Sequence, residues 1–139
     1  MRGSLRSHYH AMLRSVIATL YVIVNSQKYK KICDRPDVLP KSVLMETRDI
    51  LVKGNLIELN VNVIEKALLG GIIQFPENYS GDPSTSYHKV SCSFEEAENI
   101  ADYLFEKEAE SVPVSGIGTS ETSKLVRLVN IWHDFVEYV

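Results

Sequence analysis

Cysteine is scarce in this chain, long apolar runs are missing, and acidic side chains are absent from its first part. Two cysteines, Cys33 and Cys92, occur in 139 residues, too few for a disulfide scaffold. The expected state is two reduced, half-buried thiols in a cytoplasmic protein. One bridge stays open, because sequence gives no distance between the two. The main apolar run, Val16 to Val24, is about half of the ~20 residues that a spanning helix needs. A signal peptide fits better on paper, with a positive beginning, a short apolar stretch and "VNS" as a small-residue cleavage site, but the arm before the run is long and carries His8, Tyr9 and His10. We therefore expect a core helix and no membrane association. Leu13, Val16, Ile17, Leu20 and Val24 follow helical spacing.

The missing acids are the more informative absence. Residues 1–31 hold Arg2, Arg6, Arg14, Lys28, Lys30 and Lys31 and no Asp or Glu, leaving 9 basic and 18 acidic side chains for the rest. A basic arm thus precedes an acidic body, although the net charge is only −3. Such asymmetry points to an anionic partner or to acid–base self-association. Arg2, Arg6, Arg14, Lys28, Lys30 and Lys31 are the expected contacts to nucleic acid or to an acidic partner, with Tyr29 placed to stack on a base. Lysines at a helix C-terminus also complement its dipole.

Hydrophobic content of 45% and charged content of 24% are those of a globular protein, and we expect one domain over 1–139. Residues 1–31 would be the basic arm and core helix. "CDRPDVLP" breaks that helix, with Asp37 a candidate cap for the next. Val43, Leu44, Thr47, Ile50 and Leu51 mark an amphipathic helix ending near Gly54. In "LIELNVNVIE", Ile57, Leu59, Val61 and Val63 alternate with polar residues as in a strand. A short helix starting near Asn62 and stopped by Gly70 and Gly71 is the competing reading. "IIQF" and "YHKVSCS" are strand-like and flank the turn "PENYSGDPST". "SFEE", Ser93 to Glu96, is a capping box that opens an acidic helix of about 94–110, with Phe94, Ala97, Ala101 and Leu104 on its apolar side. "SVPVSGIGTS" reads as a linker. Leu125, Leu128, Val129, Trp132, Phe135, Val136 and Val139 define the last helix, in the segment 94–139. The fold class is mainly α with a small β-hairpin.

"VLMETRDILVKGNLIELNVNVIEKALLGGIIQF", the turn and "YHKVSCS" together resemble the winged-helix order of helix, helix, strand, wing, strand, over about residues 38–93. The resemblance implies that Val63–Leu68 lies in the recognition helix, "GGIIQF" is the strand after it and "PENYSGDPST" is the wing. That wing carries Glu77 and Asp82, and the recognition helix offers Lys66.

No catalytic constellation is legible, and neither a cofactor nor a metal site is expected. His8, His10, His88 and Cys92 match no common zinc spacing. The glycines of "SGIGTSETSK" lack the Walker spacing, and Glu121 in the first turn of that helix repels an anion. The expected function is therefore non-enzymatic: a small subunit of a larger, nucleoprotein assembly. It would bind through its apolar terminal helices and the basic arm, as a hetero- or homo-oligomer. Leu128, Trp132, Phe135 and Tyr138 are its expected interface residues, of a type enriched at hot spots. The alternatives are a dimeric winged-helix-like transcription regulator and a small enzyme with a cryptic site around His88, Cys92 or the Gly116–Gly118 loop.

Overall fold

The computed structural model describes residues 26–54, 58–76 and 85–139. The helix expected over Val16–Val24, the arm residues Arg2, Arg6 and Arg14, and most of the "PENYSGDPST" segment lie outside them.

Seven elements follow in order: α1 (helical over 26–33), β1 (Val38–Pro40), α2 (Lys41–Lys53), α3 (Glu58–Gly70), β2 (Tyr87–Lys89), α4 (Phe94–Ser111) and α5 (Ser120–Tyr138). The described chain is mainly helical with a small antiparallel sheet. α1 ends where Pro36 denies it further donors. Asp37 does not cap the next helix as expected, because the residues after it form β1 and α2 begins only at Lys41. Pro40 holds the N-cap position without a side-chain bond. The Asp37 carboxylate instead accepts from Arg35 Nε at 3.0 Å and Arg35 Nη2 at 2.7 Å.

β1 carries no strand signal of its own. It exists because β2 supplies its ladder: Val38 pairs with Lys89, Leu39 with His88 and Pro40 with Tyr87. Proline is tolerated there because the strand is short and lies at the edge. β2 is paired on its other side as well. Ile72 forms a bridge to His88, Ile73 N–H donates to Tyr87 O at 2.9 Å and Lys89 N–H donates to Gly71 O at 2.7 Å. A Cβ on Gly71 would overlap the Lys89 carbonyl oxygen, so glycine is what lets the chain leave α3 this close to β2.

Residues 58–70 are helical, which corrects the strand reading of "LIELNVNVIE". Asn60, Val63, Ile64 and Ala67 are buried, a stripe at i, i+3, i+4 and i+7. The β-branched residues raise strand propensity over a short window, and packing against the core overrides it.

α4 and α5 form an antiparallel pair, and each opens with a reciprocal cap. Ser93 and Glu96 close the expected capping box, with 2.9 and 3.1 Å bonds. Thr119 and Thr122 make another. Thr122 also ties the two helices together, donating to Ser111 O at 3.3 Å. Ala97, Ile100, Ala101 and Leu104 of α4 face Leu128, Trp132 and Phe135 of α5 in one core with Leu39, Val43, Leu44, Leu51, Val63 and Ile64. Phe94, expected on the apolar side of α4, is half exposed. It is the first helical residue and lies beyond the edge of the core.

Candidate functional site

Built upward from its buried stripe, α3 has an exposed side on which polar residues and the apolar Leu69 lie together. The inward stripe of α3 leaves Asn62, Lys66, Leu69 and Gly70 exposed on the opposite side. Glu65, between them, is 3.6 Å from Arg48 of α2, a surface pair of small energetic weight that holds two long side chains beside the stripe. Lys41 at the start of α2 and Lys89 on β2 are exposed. Among the described residues, Lys41, Lys66 and Lys89 make no ion pair. Here β2 is flanked by β1 on one side and Ile72 on the other, with α2 and α3 connecting those two flanks in sequence.

Charge is divided along the same structural line. Residues 1–93 contain 12 basic and 8 acidic side chains, whereas residues 94–139 contain 3 basic and 10 acidic ones. The acidic excess belongs to the α4–α5 hairpin. Its one close internal compensation on α4 is Lys107 Nζ to Glu110 at 3.0 Å.

Of the cations expected on the arm, three fall among the described residues. Lys28, Lys30 and Lys31 are exposed on α1. Tyr29 is not: it is 7% exposed, and its ring lies 5.7 Å from that of Phe75. This corrects the stacking role expected of Tyr29, because Ile32 and Cys33 share its inward side of α1. The spacing Tyr29, Ile32, Cys33 is the signal that sequence reasoning missed.

The expected interface residues also divide. Leu128, Trp132 and Phe135 are fully buried. Trp132 Nε1–H donates to Thr47 Oγ1 at 3.0 Å, and the Thr47 hydroxyl donates to Val43 O at 2.7 Å. These three side chains form the intrachain core, which corrects their assignment to a partner surface. Tyr138 remains half exposed, near the Arg35–Asp37 pair.

The titratable groups considered for catalysis are held within the fold to different degrees. His88 is 2% exposed. Its Nδ1 is 2.8 Å from Ala67 O and its Nε2 is 2.9 Å from Ser86 Oγ. A carbonyl only accepts, so Nδ1 carries the hydrogen and Nε2 accepts from the serine. The ring thereby fastens β2 to the C-terminal turn of α3. Cys33 and Cys92 are both free thiols. Burial, then the nearby Glu96, pushes the Cys92 thiol up to about 11. Burial raises Cys33 too, against a hydrogen bond from Tyr29 that lowers it. In both, burial disfavours the thiolate form. His133, Asp134 and Glu137 gather on the exposed face of α5, with His133 Nδ1 3.6 Å from Glu137, an ordinary i, i+4 surface arrangement.

Comparison of the chain with protein-family models, curated proteins and solved structures gives no match. Among the described residues, no helix is long and apolar enough to cross a membrane.

Proposed function

We propose that this chain binds duplex DNA as a winged-helix-like module, with α3 as the reading helix. The observation that carries this reading is strand order. β2 lies between β1 and Ile72, and α2 and α3 occupy the chain between those two flanks. A helix pair followed by an antiparallel strand and its return is the arrangement that presents a helix to the major groove and the intervening loop to the backbone. The exposed stripe of α3 fits the role chemically. Asn62 offers the amide that pairs with an adenine edge, and Lys66 offers a donor for guanine or phosphate. Lys41, at the start of α2, and Lys89, on β2, are exposed and can meet phosphates, while the acidic excess is held on α4 and α5. The arm cations, including Lys28, Lys30 and Lys31, add sequence-independent attraction.

A second reading, a protein-docking subunit of a larger assembly, is favoured by exposed Tyr138 and Val139 at the end of α5 and by exposed Phe105 on α4. The two readings are compatible if the hairpin docks while α3 reads.

The test is fluorescence anisotropy of a labelled duplex titrated with wild-type protein and with Lys66→Glu, across a salt series. Binding at low salt that weakens in Lys66→Glu, with a salt slope smaller by at least about 1, supports the proposal. Absence of binding at low salt, or equal binding by Lys66→Glu, overturns it.

A further inference from the structure

α4 carries two stripes, and the core uses one of them. Ala97, Ile100, Ala101 and Leu104 belong to that core. Along a second side, Phe94, Glu98, Asp102, Phe105 and Ala109 recur at steps of four, four, three and four, and all are exposed. That spacing places them on one face of the helix. Phe94 is 52% exposed and Phe105 62%, and they lie about 16 Å apart along the helix axis. A single exposed apolar residue is ordinary on a surface. Two phenylalanines in line form a helix face that no part of the described chain covers.

The charge of that face decides what can cover it. Glu98 and Asp102, between the two rings, make no ion pair among the described residues. α4 as a whole holds seven acidic side chains against Lys107, so the α4 of a second copy is repelled and the occupant is cationic. In this chain the cations without acids are those of residues 1–31, with six basic side chains and no Asp or Glu. Of these, Lys28, Lys30 and Lys31 are exposed on α1. Among the described residues no ion pair joins them to α4 of the same chain. Two surfaces of opposite charge are thus left, each, to a second molecule.

We infer that the outer face of α4 docks the basic N-terminal part of a second copy of this chain, in a reciprocal dimer. Glu98 and Asp102 meet its cations, Lys28, Lys30 and Lys31 among them, and Phe94 and Phe105 meet side chains of its apolar run, Val16 to Val24. Each copy offers one surface of each kind, so a two-fold arrangement satisfies both at once and closes. The inference rests on the docking reading of α4, for which it names the partner. It is independent of α3 as a reading helix, because α3 contributes to neither surface.

The test is sedimentation of the full chain over a concentration series at low and high salt, with two charge-reversed variants. Wild type should dimerise at low salt, and high salt should weaken the dimer about tenfold or more. Glu98→Lys with Asp102→Lys should be monomeric, because like charges then face each other, and so should Lys28→Glu with Lys31→Glu. Mixed in equal amounts, the two variants should dimerise again, since each then meets the opposite charge on the other. Phe105→Ser should weaken the wild-type dimer about tenfold and keep the melting midpoint of the monomer, because the ring is exposed. All five side chains are exposed, so the fold survives these changes. Monomer at every concentration and salt overturns the inference and leaves α4 to a different partner. A dimer indifferent to the charge reversals or to Phe105→Ser, or a mixture that stays monomeric, also overturns it.

Discussion

Thr47→Val probes the buried link that joins α5 to α2 across 85 positions of sequence. Valine matches threonine in shape, so packing is nearly kept while the hydroxyl is removed. Two bonds disappear: Trp132 Nε1–H to Thr47 Oγ1 at 3.0 Å, and Thr47 Oγ1–H to Val43 O at 2.7 Å. Val43 O is a helical carbonyl and keeps its backbone donor. The indole N–H has no replacement in a fully buried site, and an orphaned buried donor costs about 1–3 kcal/mol. Allowing a small return from burying a methyl group, the net loss should be about 2 kcal/mol, or about 5–8 °C in the melting midpoint for a domain of this size. Urea denaturation followed by the fluorescence of Trp132, the chain's sole tryptophan, measures it directly. Thr47→Ser, which keeps the hydroxyl, should lose less. Coupling between Thr47→Val and Trp132→Phe in a double-mutant cycle, followed by far-UV circular dichroism because the second change removes the fluorophore, should account for much of the effect. A Thr47→Val protein within about 0.5 kcal/mol of wild type would refute the claim that this relay fastens the helices.

Other outcomes follow from the same packing. At pH 8, alkylation of Cys92 should run about a hundredfold slower than in the denatured chain, because burial and Glu96 push its thiol from the ordinary value near 9 to about 11 and the thiolate is the reactive form. Since the folded value is raised, its stabilising contribution is complete below pH 9 and is lost as pH rises toward 11; urea midpoints across that window should fall for wild type and fall less for Cys92→Ala. Gly54→Ala should cost about 1–3 kcal/mol, because a Cβ there would overlap the Tyr103 hydroxyl, and Tyr103→Leu should absorb part of that cost, seen as non-additive denaturation free energies. Tyr138→Ala should change the unfolding free energy from urea denaturation little, by under about 0.5 kcal/mol, because that ring is half exposed.

What the sequence made legible is what local rules determine. Ser93 and Glu96 announce the start of α4, and Leu125, Leu128, Trp132 and Phe135 announce α5, because caps and three–four spacing act within one helix. β1 was invisible: three residues ending in Pro40 become a strand only because β2 arrives beside them. α3 was ambiguous because Val61, Val63 and Ile64 favour a strand locally, while the stripe of Asn60, Val63, Ile64 and Ala67 is selected by the core. Gly54 read as a helix stop and is the C-cap of α2, whereas the close approach of Tyr103, 49 residues away, had no local signal. The exposed lysines of α1 could be read from charge alone, whereas the inward turn of Tyr29 required its spacing to Ile32 and Cys33. The outer stripe of α4 was partly hidden, because Phe94 reads as core-facing until packing fixes Ala97, Ile100 and Leu104 as the inner side.

If α3 reads DNA as proposed, a titration of the isotopically labelled chain with a short duplex should register it residue by residue. At low salt, the largest amide shifts should fall on Asn62, Lys66, Leu69 and Gly70, with smaller ones near Lys41 and Lys89, and the acidic helices α4 and α5 should stay unmoved. Shifts confined to α4 and α5, or no shifts at low salt, would contradict it.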